Sequence, residues 1–503
     1  MGIHYRIVAR AAGAAGALTG IAMLPALAVS LFFREYREAA GFALSFVAVL
    51  LLAAATLLPA RVWARTGGGR SERGPHGAGE SEPGPRDGML IVSVWWIASS
   101  LLGGLPYAIC GLGIGPADAL FESASGFTTT GATVLRGLSE LPRGLLLWRS
   151  TTGWIGGIET LAASLAMLPL AGAGYASAQA EASANPAERL PARERGAQTR
   201  LCVLYAGSTL LLFLLLIAAR TRPFDALLLA LGAISTSGFS GGDGFPAISG
   251  AAAFFLCAFM LLAAVNFTLY RRFSARRAKL LAKDEELRCF FLICGCSAVA
   301  VSLCLLLAFP QENAAGGVGN AFFETISALT TTGYHRAEVF AWPPFCKILL
   351  LGLLLTGGCA ASTASGLKVG RVVILLRLVR RNISIRLHPN AVLPIKFDGR
   401  AVPTDTVNAI AAHAMLCVAV FFVATALVSL GSAGGVSASA FGVLACMSNA
   451  GPGMAAAHAA LGTAAWAAHS APIKLFLSFL MILGRLEFTT VLLLFTPRYW
   501  KNV

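Results

Sequence analysis

The sequence predicts an all-α polytopic membrane protein. Four helix–pore loop–helix repeats, all in the same orientation, are expected in pseudo-fourfold symmetry around one pore, with two extra helices ahead of them. Three observations carry this reading. The 503 residues are 56% hydrophobic and only 13% charged, about half the charged share of an average soluble chain. Ten stretches are long and apolar enough to cross a bilayer core, which takes about 20 helical residues. Four shorter apolar stretches recur between paired spans and run into a similar polar sequence ending in glycine. Such a composition excludes a disordered chain, a secreted disulfide scaffold and an ordinary soluble enzyme.

The expected spans run over 7–31, 39–59, 89–111, 144–170 and 201–219, then 247–270, 289–309, 342–378, 407–430 and 473–495. Each would satisfy its own backbone hydrogen bonds in lipid. The first is too long for a signal-peptide core and is kept as a helix. The eighth is too long for one crossing and is interrupted from Thr356 through Gly366. Between the second and third spans, 66–87 is rich in Gly, Ser, Arg and Pro and reads as a flexible cytoplasmic linker. The expected organisation is thus 1–65 for the leading helices, then the linker. Repeats follow at 88–170, 171–270, 271–383 and 384–503.

The formal net charge of +15 is distributed by loop. If the N-terminus is inside, alternate loops collect Arg6 and Arg10, then Arg61 to Arg73, Arg189 to Arg200, and the run from Arg271 to Lys283. The same side holds Lys368, Arg371, Arg377, Arg380, Arg381 and Arg386, and finally Arg498 and Lys501. Opposite loops are sparse, with Arg136, Arg143, Arg222 and Arg336. This positive-inside bias puts both termini in the cytoplasm. It also argues against nucleic-acid binding, which needs a basic face on a folded soluble domain. The cysteines mostly lie within spans, without metal-ligand spacing, and read as small buried hydrophobes.

The four short segments contain FESASGFTTTGAT from Phe121, LGAISTSGFSG from Leu231, FETISALTTTGYH from Phe323 and FGVLACMSNAGPG from Phe441. Alignment on glycine pairs Gly131, Gly238, Gly333 and Gly451, spaced by 107, 95 and 118 residues. A period near one hundred is architectural evidence in itself. Each segment is too short to span and is expected to enter from outside as a re-entrant helix, with Asp118, Asp225, Asn320 and Ser437 as N-cap candidates. The partly negative C-terminal ends of four such helices would favour a cation at the membrane centre. The loops after them could expose backbone carbonyls, tolerated at that depth only where they line a cavity. Rings of carbonyls replacing a hydration shell are how potassium filters are built. Equal orientation of all four repeats excludes an inverted-repeat transporter.

Further stretches narrow the reading: Trp148-Arg149-Ser150, Trp154-Ile155-Gly156-Gly157, His388-Pro389-Asn390-Ala391-Val392, and Gly484-Arg485-Leu486-Glu487 followed by Thr496-Pro497. With the four loops in order, they resemble the Trk/Ktr/HKT superfamily of potassium transporters, its bacterial TrkH/TrkG branch in particular, over 89–503. The two leading spans match the extra helix pair of that branch. The resemblance implies potassium uptake across a bacterial inner membrane, with K+ as the transported ion and no bound cofactor. It implies a selectivity filter of Thr128, Thr129, Thr130, Gly131, Ser235, Thr236, Ser237, Gly238, Thr330, Thr331, Thr332, Gly333, Ser448, Asn449, Ala450 and Gly451, acting mainly through carbonyls. It implies a gate in the interrupted eighth span, with Gly357, Gly358, Ser362, Thr363, Gly366 and Lys368 in an intramembrane loop and Arg485 projecting toward it. A homodimer regulated by a cytoplasmic TrkA-like nucleotide-binding subunit is also implied. Sodium-coupled or weakly selective cation transport, or a non-conducting membrane sensor or scaffold, are the alternatives. The first loop reads Thr128-Thr129-Thr130-Gly131, with no serine at the glycine position, which favours potassium. No Walker, H-E-x-x-H or G-x-S-x-G motif suggests an enzyme.

Individual polar residues carry two readings each. Arg485 could be an electrostatic barrier or pair with Glu487 or another carboxylate. Glu122 and Glu324, equivalent in the first and third repeats, are expected to accept hydrogen bonds behind the filter. Lys368 and Arg371 are expected at the inner membrane edge, where snorkelling explains them. Glu159, in a span, could line a proton or cation route or pair with an arginine. His413 reads as a hydrogen-bonded core histidine ahead of a proton-coupling group. The gate stretch Ala361-Ser362-Thr363-Ala364-Ser365-Gly366-Leu367-Lys368 has fewer glycines than the family's usual G-S-T-G-G-G-I-K, which should narrow its backbone freedom.

Overall fold

The structure is a computed structural model and describes residues 5–65, 85–167, 195–242, 245–270, 284–309, 314–337, 339–431, 435–451, 466–486 and 488–500. Most of the expected linker, 66–84, therefore lies outside the described residues, while 85–87 already belong to a helix and not to the linker. The start of the second expected repeat, up to 194, also lies outside them.

The described chain is helical apart from one two-stranded hairpin. Two leading helices, α1 (Tyr5–Phe32) and α2 (Tyr36–Arg65), pack along each other. Next come α3 (Pro85–Gly103), α4 (Leu105–Ile109), the short α5 (Pro116–Phe127) and α6 (Arg143–Met167). Helix α1 also packs against α3 and α6, which joins the leading pair to this first unit. A second unit consists of α7 (Arg195–Ala218), the short α8 (Pro223–Ile234), α9 (Gly250–Ala264) and α10 (Phe267–Tyr270). The third has α11 (Glu285–Ala308), α12 (Ala314–Leu329), α13 (Pro344–Thr356) and α14 (Val369–Leu387). After the strands β1 (Lys396–Phe397) and β2 (Arg400–Ala401), the fourth has α15 (Thr404–Ser429), α16 (Gly435–Met447), α17 (Ala471–Leu486), α18 (Phe488–Leu494) and α19 (Pro497–Trp500).

Among the described residues, six helices are long and apolar enough to cross a membrane: Val8–Phe32, Tyr36–Leu57, Gly88–Ile109, Thr199–Ala218, Glu285–Ala308 and Thr404–Ser429. Their large apolar side chains face outward in stripes, such as Val203, Leu210 and Leu214 on α7, each more than half exposed. A hydrocarbon solvent accounts for that face, as water would not. The other four expected spans are modified. The stretch 144–170 is α6, diluted by Arg, Ser, Thr and Gly. The stretch 342–378 is broken into two helices, and 473–495 is described as α17 and α18 on either side of residue 487, which lies outside the described residues.

The stretch 247–270 reads as unbroken in sequence, but α9 stops at Ala264, with Val265 extended. The reason lies across the fold. The Ala263 and Ala264 carbonyls accept the amides of Thr363 (3.3 Å) and Cys359 (2.9 Å), and the Phe267 amide donates to Ala361 at 3.1 Å. The break frees backbone groups that a distant loop then satisfies.

None of the four expected N-caps holds that position. Helices α5 and α8 open with Pro116 and Pro223, leaving Asp118 and Asp225 one turn inside. Proline at the first helical position presets φ and lacks an amide that would be unbonded there anyway. Asn320 and Ser437 lie within α12 and α16.

Each short helix packs beside the helices before and after it in its unit. Contacts between units close in order: α6 with α8, α9 with α12, α13 with α16, and α17 back onto α5. This closure brings the ends of the four short helices together.

Candidate functional site

The four short helices end in the same way. Thr128, Ser235, Thr330 and Ser448 donate their amides to the carbonyl four residues earlier, at 2.9, 3.2, 2.9 and 2.8 Å. The next residue reverses the chain: Thr129, Thr236, Thr331 and Asn449 all have positive φ, at 55°, 55°, 55° and 47°. For a non-glycine residue this costs about 1–2 kcal/mol, and for a β-branched residue it is a true outlier. Three threonines bearing that strain at matching positions mark a functional constraint.

The following amides turn back onto the helix. Thr130, Ser237, Thr332 and Ala450 donate to the carbonyls of Ser125 (2.8 Å), Gly232 (2.9 Å), Ser327 (3.0 Å) and Ala445 (3.0 Å). Gly131, Gly238 and Gly333 donate to the same carbonyls at 3.3, 3.4 and 3.3 Å, with φ of 79°, 66° and 80°. A trans peptide holds its C=O opposite its N–H. Amides bonded to the helix therefore turn the preceding carbonyls away from it, on one side of each loop. Behind them the hydroxyls pair: Thr128 with Thr130 at 2.8 Å, Ser235 with Ser237 at 2.9 Å, Thr330 with Thr332 at 2.8 Å.

The fourth loop departs from the pattern. Ala450 has no hydroxyl to pair, and Gly451 has no left-handed φ. Its amide leaves the helix and donates to the Thr130 carbonyl at 2.5 Å. Asn449 donates to the Thr130 hydroxyl at 3.0 Å and to the Met481 carbonyl at 2.8 Å. A Cβ at Gly451 would stand 2.5 Å from the Ala132 amide, so this approach needs glycine.

Buried carboxylates brace two of the loops. Glu122 accepts from the Thr133 hydroxyl and the Val134 amide, both at 3.0 Å, and from Arg149 Nε at 2.7 Å. Glu324 accepts from the Arg336 amide at 2.6 Å and the Ala337 amide at 3.1 Å, with His335 Nδ1 2.5 Å away. Arg149 also lies over the Phe239 ring, 4.4 Å from its centroid, tying the first unit to the second.

Loop 357–368 lies between α13 and α14 and bonds to the second, third and fourth units. Ser365 donates its amide to the Thr331 hydroxyl at 2.9 Å. The Thr363 hydroxyl donates to the Ala263 carbonyl at 3.0 Å. Arg485, from α17, donates to the Thr363 carbonyl at 3.0 Å and to the Ser365 hydroxyl at 2.5 Å. The feet of the loop meet where Leu367 and Lys368 donate to Leu355 and Thr356, both at 2.9 Å. Gly357 and Gly366 have φ of 72° and 85°, and Ala361 and Lys368 share that region at 50° and 74°. The Lys368 ammonium donates to the Ala364 carbonyl. A cavity of about 110 Å³ adjoins the loop, lined by Ser362, Ser365, Lys368, Met447, Arg485 and Phe488 among others. It has room for several waters.

Several polar residues differ from their expected settings. Arg371 is only 9% exposed, so snorkelling to a membrane edge does not describe it. Glu159 is buried, with Oε2 lacking a hydrogen-bond partner. Glu487 lies outside the described residues. His413 lies 3.6 Å from Cys417 Sγ and close to the Phe488 ring.

Sequence reasoning missed Glu286. This carboxylate, at the start of α11, accepts from the Ala360 amide at 2.9 Å and the Gly370 amide at 3.1 Å, clasping both sides of the loop. The only signal was an acidic Asp284-Glu285-Glu286 run opening an apolar span, which reads equally as helix capping.

Known proteins are similar in sequence and overall fold. The TrkH family model, described as cation transport protein, matches residues 70–502. The Trk system potassium uptake protein TrkH of Salmonella typhimurium is 32% identical, over 99% of this chain and all of that protein. The Trk system potassium uptake protein TrkG of Escherichia coli is 30% identical, over 99% of each. The crystal structure of the potassium transporter TrkH from Vibrio parahaemolyticus superposes with a TM-score of 0.84 at 29% identity, over 99% of this chain and all of that one.

Proposed function

Because the chain belongs to the TrkH family of cation transport proteins, whose members are membrane transporters and not enzymes, we propose that it takes up potassium across a bacterial inner membrane. The ion passes one central site where the four loops meet. Carbonyls of Thr128, Thr129, Ser235–Ser237, Thr330–Thr332, Ser448 and Asn449 replace its water, while the Thr130 carbonyl is taken by the Gly451 amide and the Ala450 carbonyl is turned opposite that amide. The observation that carries this reading is the shared left-handed residue at Thr129, Thr236, Thr331 and Asn449. It turns successive carbonyls to one side, as a dehydrated cation requires.

In this proposal the ion enters from outside, with both termini in the cytoplasm, and a negative-inside potential favours entry by about 2.3 kcal/mol per 100 mV. Loop 357–368 is the gate. Its bonds to Thr331 and Arg485 support that role, since they hold it directly against a filter loop. The Arg485 guanidinium adds a positive charge beside the cavity that discourages a resting cation. Two copies pair, each with its own path, and a TrkA-like nucleotide-binding subunit docks on the basic cytoplasmic side to move the loop.

The test is rubidium uptake into proteoliposomes, with sodium as competitor and a TrkA-type partner present or absent. Flux of rubidium over sodium, altered by Gly333→Ser, supports the proposal. No flux under any imposed potential overturns transport. Selectivity indifferent to Gly333→Ser overturns the filter.

A further inference from the structure

The loops after α5 and α12 share an outer tether that the loop after α8 cannot make for itself. Ser125 Oγ donates to the Ala132 carbonyl at 2.6 Å, and Ser327 Oγ donates to the Tyr334 carbonyl at 2.7 Å. In both, a serine on the last helical turns holds the carbonyl just past the loop glycine, seven residues on. The equivalent pair in the second unit is Gly232 and Phe239, and Gly232 has no hydroxyl.

The missing bond comes from the neighbouring unit. The Tyr334 hydroxyl lies 3.2 Å from the Phe239 carbonyl and 3.1 Å from the Leu229 carbonyl, sharing its proton between them. The ring is 2% exposed and packs against Phe245, 5.2 Å between centroids. Gly232 is what admits it. A Cβ there would collide with the Tyr334 hydroxyl and stand 2.9 Å from the Phe239 carbonyl. Glycine on one unit and tyrosine on the next are therefore two halves of a single device: one vacates the space that the other fills.

We propose that Tyr334 is a positioning residue for ion selection, fixing the second loop by a hydrogen bond donated from the third. The inference rests on reading these loops as the filter. Its consequence is that the second and third loops cannot shift independently. A carbonyl displacement in one is passed to the other through a single hydroxyl, whereas the first and third loops are tethered within themselves. Discrimination between alkali cations depends on where these carbonyls sit, so the ratio of rubidium to sodium flux reads the tether directly.

Tyr334→Phe deletes one oxygen and should lower that ratio about threefold to tenfold, the effect of one hydrogen bond. Tyr334→Phe keeps the ring and its packing on Phe245, so a lowered ratio with an unchanged melting temperature is something a mere packing role for Tyr334 would not produce. A wild-type ratio for Tyr334→Phe overturns the inference. If Tyr334→Phe does not purify folded, Gly232→Ala, which drives a Cβ into the Tyr334 hydroxyl, carries the test: a lowered ratio supports the inference and a wild-type one overturns it. Gly333→Ser is run beside them. If it changes selectivity while Tyr334→Phe does not, only the tether is refuted. If neither matters in a selective protein, the filter reading itself has failed.

Discussion

The Asn449 side-chain amide donates to the Thr130 hydroxyl at 3.0 Å, joining the fourth loop to the first. The same nitrogen reaches the Met481 carbonyl at 2.8 Å, so one residue locks a loop, its neighbour and the following helix. Asn also tolerates the left-handed backbone that this position adopts, at φ 47°. The other three loops put threonine there and keep their hydroxyl pairs within the loop. The fourth lacks the pair, and Asn449 compensates by bonding across the boundary.

Asn449→Ala should therefore be more disruptive than a small buried truncation suggests. It removes two hydrogen bonds, each worth about 1 kcal/mol net, and puts alanine where φ is positive at about 1 kcal/mol more. We expect a lower melting temperature and a several-fold loss of rubidium over sodium selectivity in proteoliposomes. Unchanged values for both would show that the cross-loop bond is incidental.

Arg485 should hold loop 357–368 in its seated position. Its bonds to the Thr363 carbonyl and the Ser365 hydroxyl are charge-assisted, worth about 1.5–3 kcal/mol. If the seated loop blocks conduction, Arg485→Ala should raise basal flux, measured without the proposed TrkA-like subunit, by roughly tenfold to a hundredfold. Ser365→Ala, which removes only one partner, should give a smaller rise. Equal flux in all three proteins would separate the arginine from gating.

Glu286 makes an independent case for the same loop from the opposite side. Its carboxylate holds the Ala360 and Gly370 amides, so Glu286→Ala leaves two amide groups without their acceptor. At about 1–3 kcal/mol for each unsatisfied group, both seating and overall stability should suffer. Glu286→Gln keeps an oxygen acceptor and should fall between. The ordering of basal rubidium flux, wild type below Gln below Ala, checks this. A Gln variant as leaky as Ala would mean that charge, not bond geometry, does the holding.

Much of this arrangement was legible in the chain because membrane spans and loop glycines leave strong local marks. Gly131, Gly238 and Gly333 stand at one offset from a short apolar helix, and the break at Gly357 interrupts a stretch too long for one crossing. Helix starts were misplaced because Pro116 and Pro223 begin their helices before the acids that resemble caps. The break after Ala264 was invisible for a different reason. Its cause is Cys359 and Thr363, about a hundred residues away, taking up the freed carbonyls. Glu286, Tyr334 and Gly232 act through similarly distant partners, and no window along the sequence brings those partners together.

Ala361 carries the last prediction. It stands in the left-handed region at φ 50°, where the family resemblance places glycine, and its carbonyl accepts the Phe267 amide at 3.1 Å. Alanine there strains the seated loop by about 1–2 kcal/mol, partly offset because alanine restricts the unfolded chain more than glycine does. Ala361→Gly should thus stabilise seating by up to about 1 kcal/mol and lower basal rubidium flux up to about fivefold. Ala360→Gly, at a position with ordinary φ, should do the reverse, since it gains only unfolded-state freedom. The two neighbouring substitutions are chemically identical and differ only in local backbone. Opposite signs would trace the effect to the strain at Ala361; equal signs would trace it to loop flexibility in general.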